Sequence, residues 1–360
     1  MSKNKQKAGE NSTQYLAEGD IYINYGITEA RAREIFNELF MNEAKNISKE
    51  AEIIASKSIG VFEGKLITKM AQIDDALNSF KSPEFIYLLS LAEKTAMQTE
   101  DDLDFDLLTN LIINKIQKPS NKKIGTGIKQ AVQILNELEY EALLGLTVAF
   151  SLSTYVFDSP FESEVLNAMN DMFSKMHPND LNCNIEWMDQ LDVLKCVRLS
   201  EMGKNKKLEE MYYMTYKNSF AKGILLASNE YIECVDMLKQ NNIPSDVLVS
   251  NIDYPEYYKL NIFDEQLIDN SEITIGDNTY SFDDTQKKVL HYIYSKYVGK
   301  ESQENAIKQI VDKMKKYDSL WAVRNWWNSM PKHLDITIVG KTIAYSYAKY
   351  LVPSIPDVLK

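Results

Sequence analysis

Leu143 to Phe157, LLGLTVAFSLSTYVF, is the most apolar run in the chain, and few environments suit it. It is shorter than the ~20 residues a membrane-spanning helix needs, and Thr147, Ser151, Ser153 and Thr154 bring hydroxyls into it. A helix apolar on all sides belongs in the middle of a core, so the remaining chain must wall it in. Gly145 and Ala149 stand four apart on it. Gly340, Ala344 and Ala348 repeat that spacing in Ile336 to Tyr350, ITIVGKTIAYSYAKY. Small residues at this interval form a strip on one helix face, so the two segments are expected to pack closely together.

The walls are legible as helices. Ile35, Leu39, Ile47, Ile53, Ile54, Ile67, Met70 and Ile73 recur at helical spacing, which predicts one or two long helices across 29–80 with a bend past Gly60. Ser82-Pro83-Glu84 restarts a helix, and the acidic Glu100 to Asp106 opens another that closes at Lys118-Pro119. Ile124-Gly-Thr-Gly127 reads as a loop, and helices follow over 128–140 and 141–157. Beyond Asp158-Ser-Pro160, helices are expected at 161–176, 185–199 and from 207 to 218 or beyond. Residues 241–263 show no period and read as an irregular connection. Ile273-Thr-Ile275 and Thr279 to Phe282 read as a hairpin, followed by a helix capped by Asp283 or Asp284. Ile307 to Trp321 and Ile336 to Tyr350 supply the last two helices. The expected fold is mainly α and two-lobed: a tail and β-hairpin over 1–26, a helical lobe over 27–160, and a mainly helical lobe over 161–360. A chain of 360 residues suits two lobes.

The N-terminal stretch has its own character. Ser12 to Leu16 and Asp20 to Tyr25 have strand-like patterning around Ala17-Glu18-Gly19, with Ile21, Ile23 and Tyr25 on one face. Thr28 then caps a helix whose first residue is Glu29. A lone hairpin is marginal in water, and no proline or lysine blunts its edges between Asn11 and Tyr25. Ser12, Gln14, Leu16, Asp20, Ile21, Ile23 and Tyr25 are therefore the candidate self-association residues, and a homo-oligomer is the expected state.

Chemical signatures are sparse. The net charge of −12 argues against non-specific nucleic-acid binding, which depends on phosphate neutralisation. Cys183, Cys196 and Cys234 suit neither a disulfide framework nor a zinc site. His177, His291 and His333 lie far apart, without carboxylates or cysteines at ligand spacing. Asp102-x-Asp104-x-Asp106 resembles the opening of a calcium loop, but Leu107 and Ile113 replace its glycine and its bidentate glutamate. The spacing from Arg324 to His333 is too long for the short Arg–His pattern of small helical ribonucleases. Trp321, Trp326 and Trp327 could line a groove, although Trp321 in the core with the other two sealing the helix end is the plainer reading. No catalytic, metal or cofactor residue is assigned. The N-terminus has no apolar core after its lysines, so a cytoplasmic protein outside the membrane is expected.

Gly9 to Gln14, followed by Ala17-Glu-Gly-Asp-Ile21, resembles a short element, roughly G-x-N-S-x-x-x-x-A-G-x-D-I, at the start of many uncharacterised bacterial proteins. Some of these are linked to stress or phage defence. Leu138 to Ser153 and Thr337 to Ala348 resemble core helices of one such all-helical family. The resemblance brings no catalytic residues. It implies a non-enzymatic, self-associating protein of antiviral defence or stress response, acting through oligomerisation and a possible protein partner. The alternatives are a hydrolase or nuclease with dispersed acidic residues, and a ligand-sensing regulator that uses the tryptophan-lined end.

Overall fold

The apolar spacing along 29–80 resolves into two helices, α1 (Glu29–Ala44) and α2 (Lys49–Met70). The computed structural model describes residues 27–44, 48–117, 121–200, 205–275, 278–300 and 302–358. The Thr28 hydroxyl accepts from the Arg31 amide at 3.2 Å and Ser48 accepts from Ala51, so both helices start on side-chain caps. Ser82 and Pro83 open α3 (Pro83–Ala96) as expected. Among these elements Phe36 meets Phe62 edge-on and lies tilted against Phe80, which in turn meets Phe85 edge-on. The acidic segment opens α4 (Asp102–Gln117). Two of its carboxylates, Asp102 and Asp106, pair with Lys65 of α2 at 2.9 and 2.8 Å, and Asp104 accepts from Thr99. The acidic run thus docks one helix on another.

The Ile124 to Gly127 segment is a correction: it lies inside α5 (Lys122–Ile134), capped by Asn121. The glycine is there for clearance, not for a turn. A Cβ on Gly127 would stand 3.0 Å from Ile338 and Thr342, where the C-terminal helix crosses. The apolar run forms α6 (Tyr140–Thr154), buried from Ala142 to Leu152.

The chain continues through α7 (Glu162–Ser174) and α8 (Glu186–Val193). The helix expected to reach 199 stops at Val193, and Lys195 turns through a positive φ of 59° into β1 (Val197–Ser200). Two short helices follow, α9 (Leu208–Thr215) and α10 (Lys217–Phe220), then β2 (Ile224–Leu225) and α11 (Asn229–Gln240). The stretch expected to be irregular contains β3 (Leu248–Asn251) and β4 (Tyr254–Leu260), joined in a three-stranded antiparallel sheet of order β2-β4-β3. Pro255 sits beside a register shift at Ser250–Asn251, where a missing backbone donor is tolerated. The expected second hairpin is present as β5 (Ile273–Ile275) and β6 (Asn278–Tyr280), with Ile273 opposite Tyr280. Asp283 caps α12 (Asp284–Ser295) in a full capping box. Then come α13 (Gln303–Met314), α14 (Asp318–Ser329), β7 (His333–Ile336) and α15 (Ile338–Leu351). β7 pairs antiparallel with β1, Ser200 opposite His333.

α15 packs on α6, α5 and α4. The expected α15–α6 neighbourhood is present, but the glycines serve other neighbours. A Cβ on Gly340 would stand 2.1 Å from the Cys196 carbonyl oxygen, and one on Gly145 would meet the Trp187 ring at 2.8 Å.

Apolar residues gather in two cores. One combines Ala32 to Tyr216 with Ile310 to Ile355, so residues on both sides of position 160 share it. The other lies between Ile224 and Tyr297. A polar clasp joins them. Lys259 of β4 is fully buried, and its ammonium donates to the carbonyls of Asn218 (2.8 Å), Ser219 (3.0 Å) and Ala221 (2.9 Å) around α10. The Asn218 amide donates to the Leu260 and Ile262 carbonyls, Tyr297 donates to Asn218, and Ser219 donates to the Ser159 carbonyl. Beside this, Lys313 pairs with the buried Glu162 and donates to Tyr254. Mainly α architecture, two cores and a polar joint are the frame for the site.

Candidate functional site

Neighbouring tryptophans on a helix point about 100° apart, and α14 uses this to divide their work. Trp326 is buried and stacks on Trp187, with centroids 5.5 Å apart, its indole N–H donating to the Asn182 carbonyl at 2.9 Å. Trp327 turns toward residues 205–206 and donates to the Lys206 carbonyl at 2.9 Å. Trp321, expected in the core, is only partly buried, with the Arg324 guanidinium 4.9 Å from its ring centre. The burial order of the three rings is the reverse of the sequence expectation, because α14 turns the Trp326 and Trp327 side inward.

Arg324 is committed as well. It grips the buried Glu209 at 2.7 and 3.1 Å, and Asn328 adds a third bond at 2.8 Å. Burial would raise the Glu209 carboxyl, but the Arg324 and Asn328 bonds outweigh it and hold the group below its usual range. The Asn328 oxygen accepts from the Leu208 amide at 2.9 Å, which seats the start of α9 against α14.

These elements wall a cleft of about 560 Å³. α6 contributes Ala149 and Ser153 from its last turns, α9 contributes Met211, and α14 contributes Trp327. β7 presents His333, Leu334, Asp335 and Ile336. Lys341, in the first turn of α15, and Asn205 with Lys206 complete the rim. The β1–β7 ladder holds β7 in place, and the Thr337 hydroxyl ties its end to the Lys195 and Cys196 carbonyls. His333 is fixed on both sides: Nδ1 lies 2.6 Å from Asn205 Oδ1 and Nε2 lies 3.3 Å from Asp335 Oδ1. The Asn205 amide nitrogen faces the Lys332 carbonyl, which orients its oxygen toward the imidazole. Ser153 donates back to the Ala149 and Phe150 carbonyls. Lys206 and Lys341 are exposed, and neither ammonium has an ion-pair partner among the described residues.

The other sequence candidates fall elsewhere. Ser12, Gln14, Leu16, Asp20, Ile21, Ile23 and Tyr25 lie outside the described residues. His177 is a turn residue with φ of 47°. His291 sits between Glu265 and Asp269, at 3.0 Å from each. Among the described residues no group of three or more His, Cys, Asp or Glu side chains is arranged to hold a metal, and no helix is long and apolar enough to cross a membrane. Sequence reasoning singled out Trp327 and His333 but missed Asn205, Met211, Ser153 and Lys341. Only a contact between distant segments brings those residues together.

The fold and cleft define a class: a mainly α protein whose C-terminal helices and one short β-ladder close a tryptophan-walled cleft. Residues 26–356 match the model of a protein family described only as ":-like", a description that names no activity, substrate or partner. The chain belongs to that family. No curated protein and no solved structure matches it.

Proposed function

We propose that this protein acts by binding: it senses a small molecule in the cleft beside Trp327 and passes the signal on through self-association, in bacterial defence against viruses or in a stress response. One observation carries the sensing role. The cleft, at about 560 Å³, is within the ~300–1,000 Å³ range of small-molecule sites, and it combines apolar walls with a few fixed polar groups. A non-enzymatic reading is favoured by how its reactive groups are committed. The imidazole of His333 is occupied by Asn205 and Asp335, and the Ser153 hydroxyl by backbone carbonyls. The self-association role rests on the strand-like pattern of Ser12 to Tyr25 and its unblunted edges. The link to defence rests on the sequence resemblance.

Fluorine-labelled tryptophan tests the cleft. The four tryptophans give resonances assignable by single Trp→Phe variants, and a panel of small fragments is screened against them. The Trp327 signal should move while that of Trp321 stays. Ser153→Trp, at an exposed position on the rim, should fill the cleft and abolish the shifts and the cellular response together. An unchanged response in a folded Ser153→Trp protein would return the enzyme and scaffold readings. Sedimentation of the chain with and without residues 1–26 tests self-association, which fails if the two have the same oligomer number.

A further inference from the structure

Building on the cleft reading, on which this depends, we infer that its ligand is an anion carrying a flat apolar group, of the nucleoside monophosphate kind. The chain carries a net charge of −12, yet the described lining of this cleft holds two lysines and one carboxylate. That carboxylate, Asp335, faces His333 at 3.3 Å, whereas Lys206 and Lys341 have no ion-pair partner among the described residues. What sets these two apart is their place: both line one cleft beside an indole wall. Lys206, just before α9, and Lys341, on the first turn of α15, both line the cleft without an ion-pair partner among the described residues, a site that a bound anion would complete.

Lysine contributes a compact point charge on a flexible stem, which can meet the oxygens of a phosphate as a charge without fixing its orientation. The same cleft has an indole wall in Trp327, whose N–H is already occupied by the Lys206 carbonyl. What the ring offers a ligand is therefore apolar surface. Met211 adds a polarisable, adaptable surface. Flat heteroaromatic groups make good use of indole and thioether surfaces. The Lys206 carbonyl that holds Trp327 belongs to the same residue whose ammonium lines the rim, so charge and aromatic wall are mechanically tied.

The test uses the full chain with adenosine monophosphate, adenosine and inorganic phosphate as probes, read by calorimetry and by the Trp327 fluorine signal. The monophosphate should bind at least tenfold more tightly than adenosine or phosphate alone. Lys206→Gln and Lys341→Gln, both at exposed positions, should each erode that advantage several-fold, and the double variant should reduce it to the level of adenosine. Raising the salt should weaken the monophosphate and leave adenosine unchanged. Equal binding of adenosine and its monophosphate would overturn the anion while leaving the cleft as a binding site. Phosphate binding as tightly as the monophosphate would overturn the flat group. If none of the three probes moves Trp327 but a neutral fragment does, the ligand class is wrong and the cleft stands. Silence from these probes and the fragment panel would remove both.

Discussion

His291 of α12 is held between two carboxylates, with Glu265 at Nδ1 and Asp269 at Nε2, each at 3.0 Å. Burial opposes its charge, but the bonds to Asp269 and Glu265 outweigh that and raise its pKa above 6.5. Lys287 donates to the Asp269 backbone carbonyl from the same helix. Both ring nitrogens donate only in the imidazolium form, so the clasp is complete when the ring is charged. Its contribution to stability is fully present below about pH 6.5, the unfolded value, and fades as pH rises through the higher folded value. Denaturant melts at pH 5.5 and 8.5 should show His291→Gln losing roughly 0.2–1 kcal/mol at the lower pH and almost nothing at the higher. Glu93 behaves in the opposite way. It is fully buried, and neither carboxyl oxygen has a hydrogen-bond partner among the described residues. Burial, with Glu43 and Glu63 nearby, pushes it up to about 9, so it is neutral at pH 7. Its penalty grows as pH rises from the unfolded value toward 9. Glu93→Met should therefore stabilise the fold at pH 7 by roughly 1–3 kcal/mol, since it removes an unpaired polar group while keeping the volume. A loss of stability would show that Glu93 has a partner beyond the described residues. Neither residue was legible beforehand: a glutamate and a histidine on amphipathic helices look like any others until their neighbours are known.

At the scale of elements, long periodic helices were the readable part. α3, α6, α12 and α15 start or end within a few residues of where caps, prolines and apolar spacing put them. Short strands were not. β1 and β7 have four residues each and β2 only two, too few for alternation to emerge, and β4 contains Pro255. Nor could spacing distinguish a glycine that turns the chain from one that lets another element approach. Gly127 and Gly340 are of the second kind, inside helices. The cleft depends on this, because Gly340 lets α15 lie against the Cys196 carbonyl and so brings Lys341 beside β7. Gly340→Ala should destabilise the protein by about 1–3 kcal/mol, because the clash is with backbone and no rotamer change relieves it. Gly60, in α2, has no heavy atom near a built Cβ, and Gly60→Ala should stabilise by roughly 0.5–1 kcal/mol through helix propensity alone. Thermal or urea melts of the pair should move in opposite directions. A neutral Gly340→Ala would mean that α15 shifts easily, and the cleft geometry would lose its support.

For the whole molecule, the informative boundary is where the cores separate, and composition does not mark it. The second core, Ile224 to Tyr297, is enclosed in sequence by the two parts of the first. The chain leaves the first core through α10 and returns through α13. Gly223 lies on the outgoing path at a φ of 107°, where a Cβ would stand 2.3 Å from the Tyr258 carbonyl oxygen. Beside it Lys259 holds the crossing. Burial pushes the Lys259 amine down to about 7, against the pull of Asp253 and Glu162, yet its three carbonyl acceptors are all satisfied only by the ammonium form. Removing the side chain's nitrogen would take their donor from the carbonyls of Ser219 and Ala221, while that of Asn218 keeps the Ala221 amide at 3.1 Å, at a cost of roughly 1–3 kcal/mol for each carbonyl left without a partner that water cannot reach. Lys259→Met keeps the length and the apolar stem, so it isolates those hydrogen bonds from packing. The loss should fall unevenly. Amide exchange in β3, β4 and α12 should speed up, because these strands and this helix depend on the clasp through Asn218, Leu260 and Tyr297. Exchange in α6 and α15 should stay close to wild type, since their contacts lie within the first core. Equal acceleration everywhere would mean the two cores unfold as one unit, and the clasp would then be ordinary packing rather than a joint.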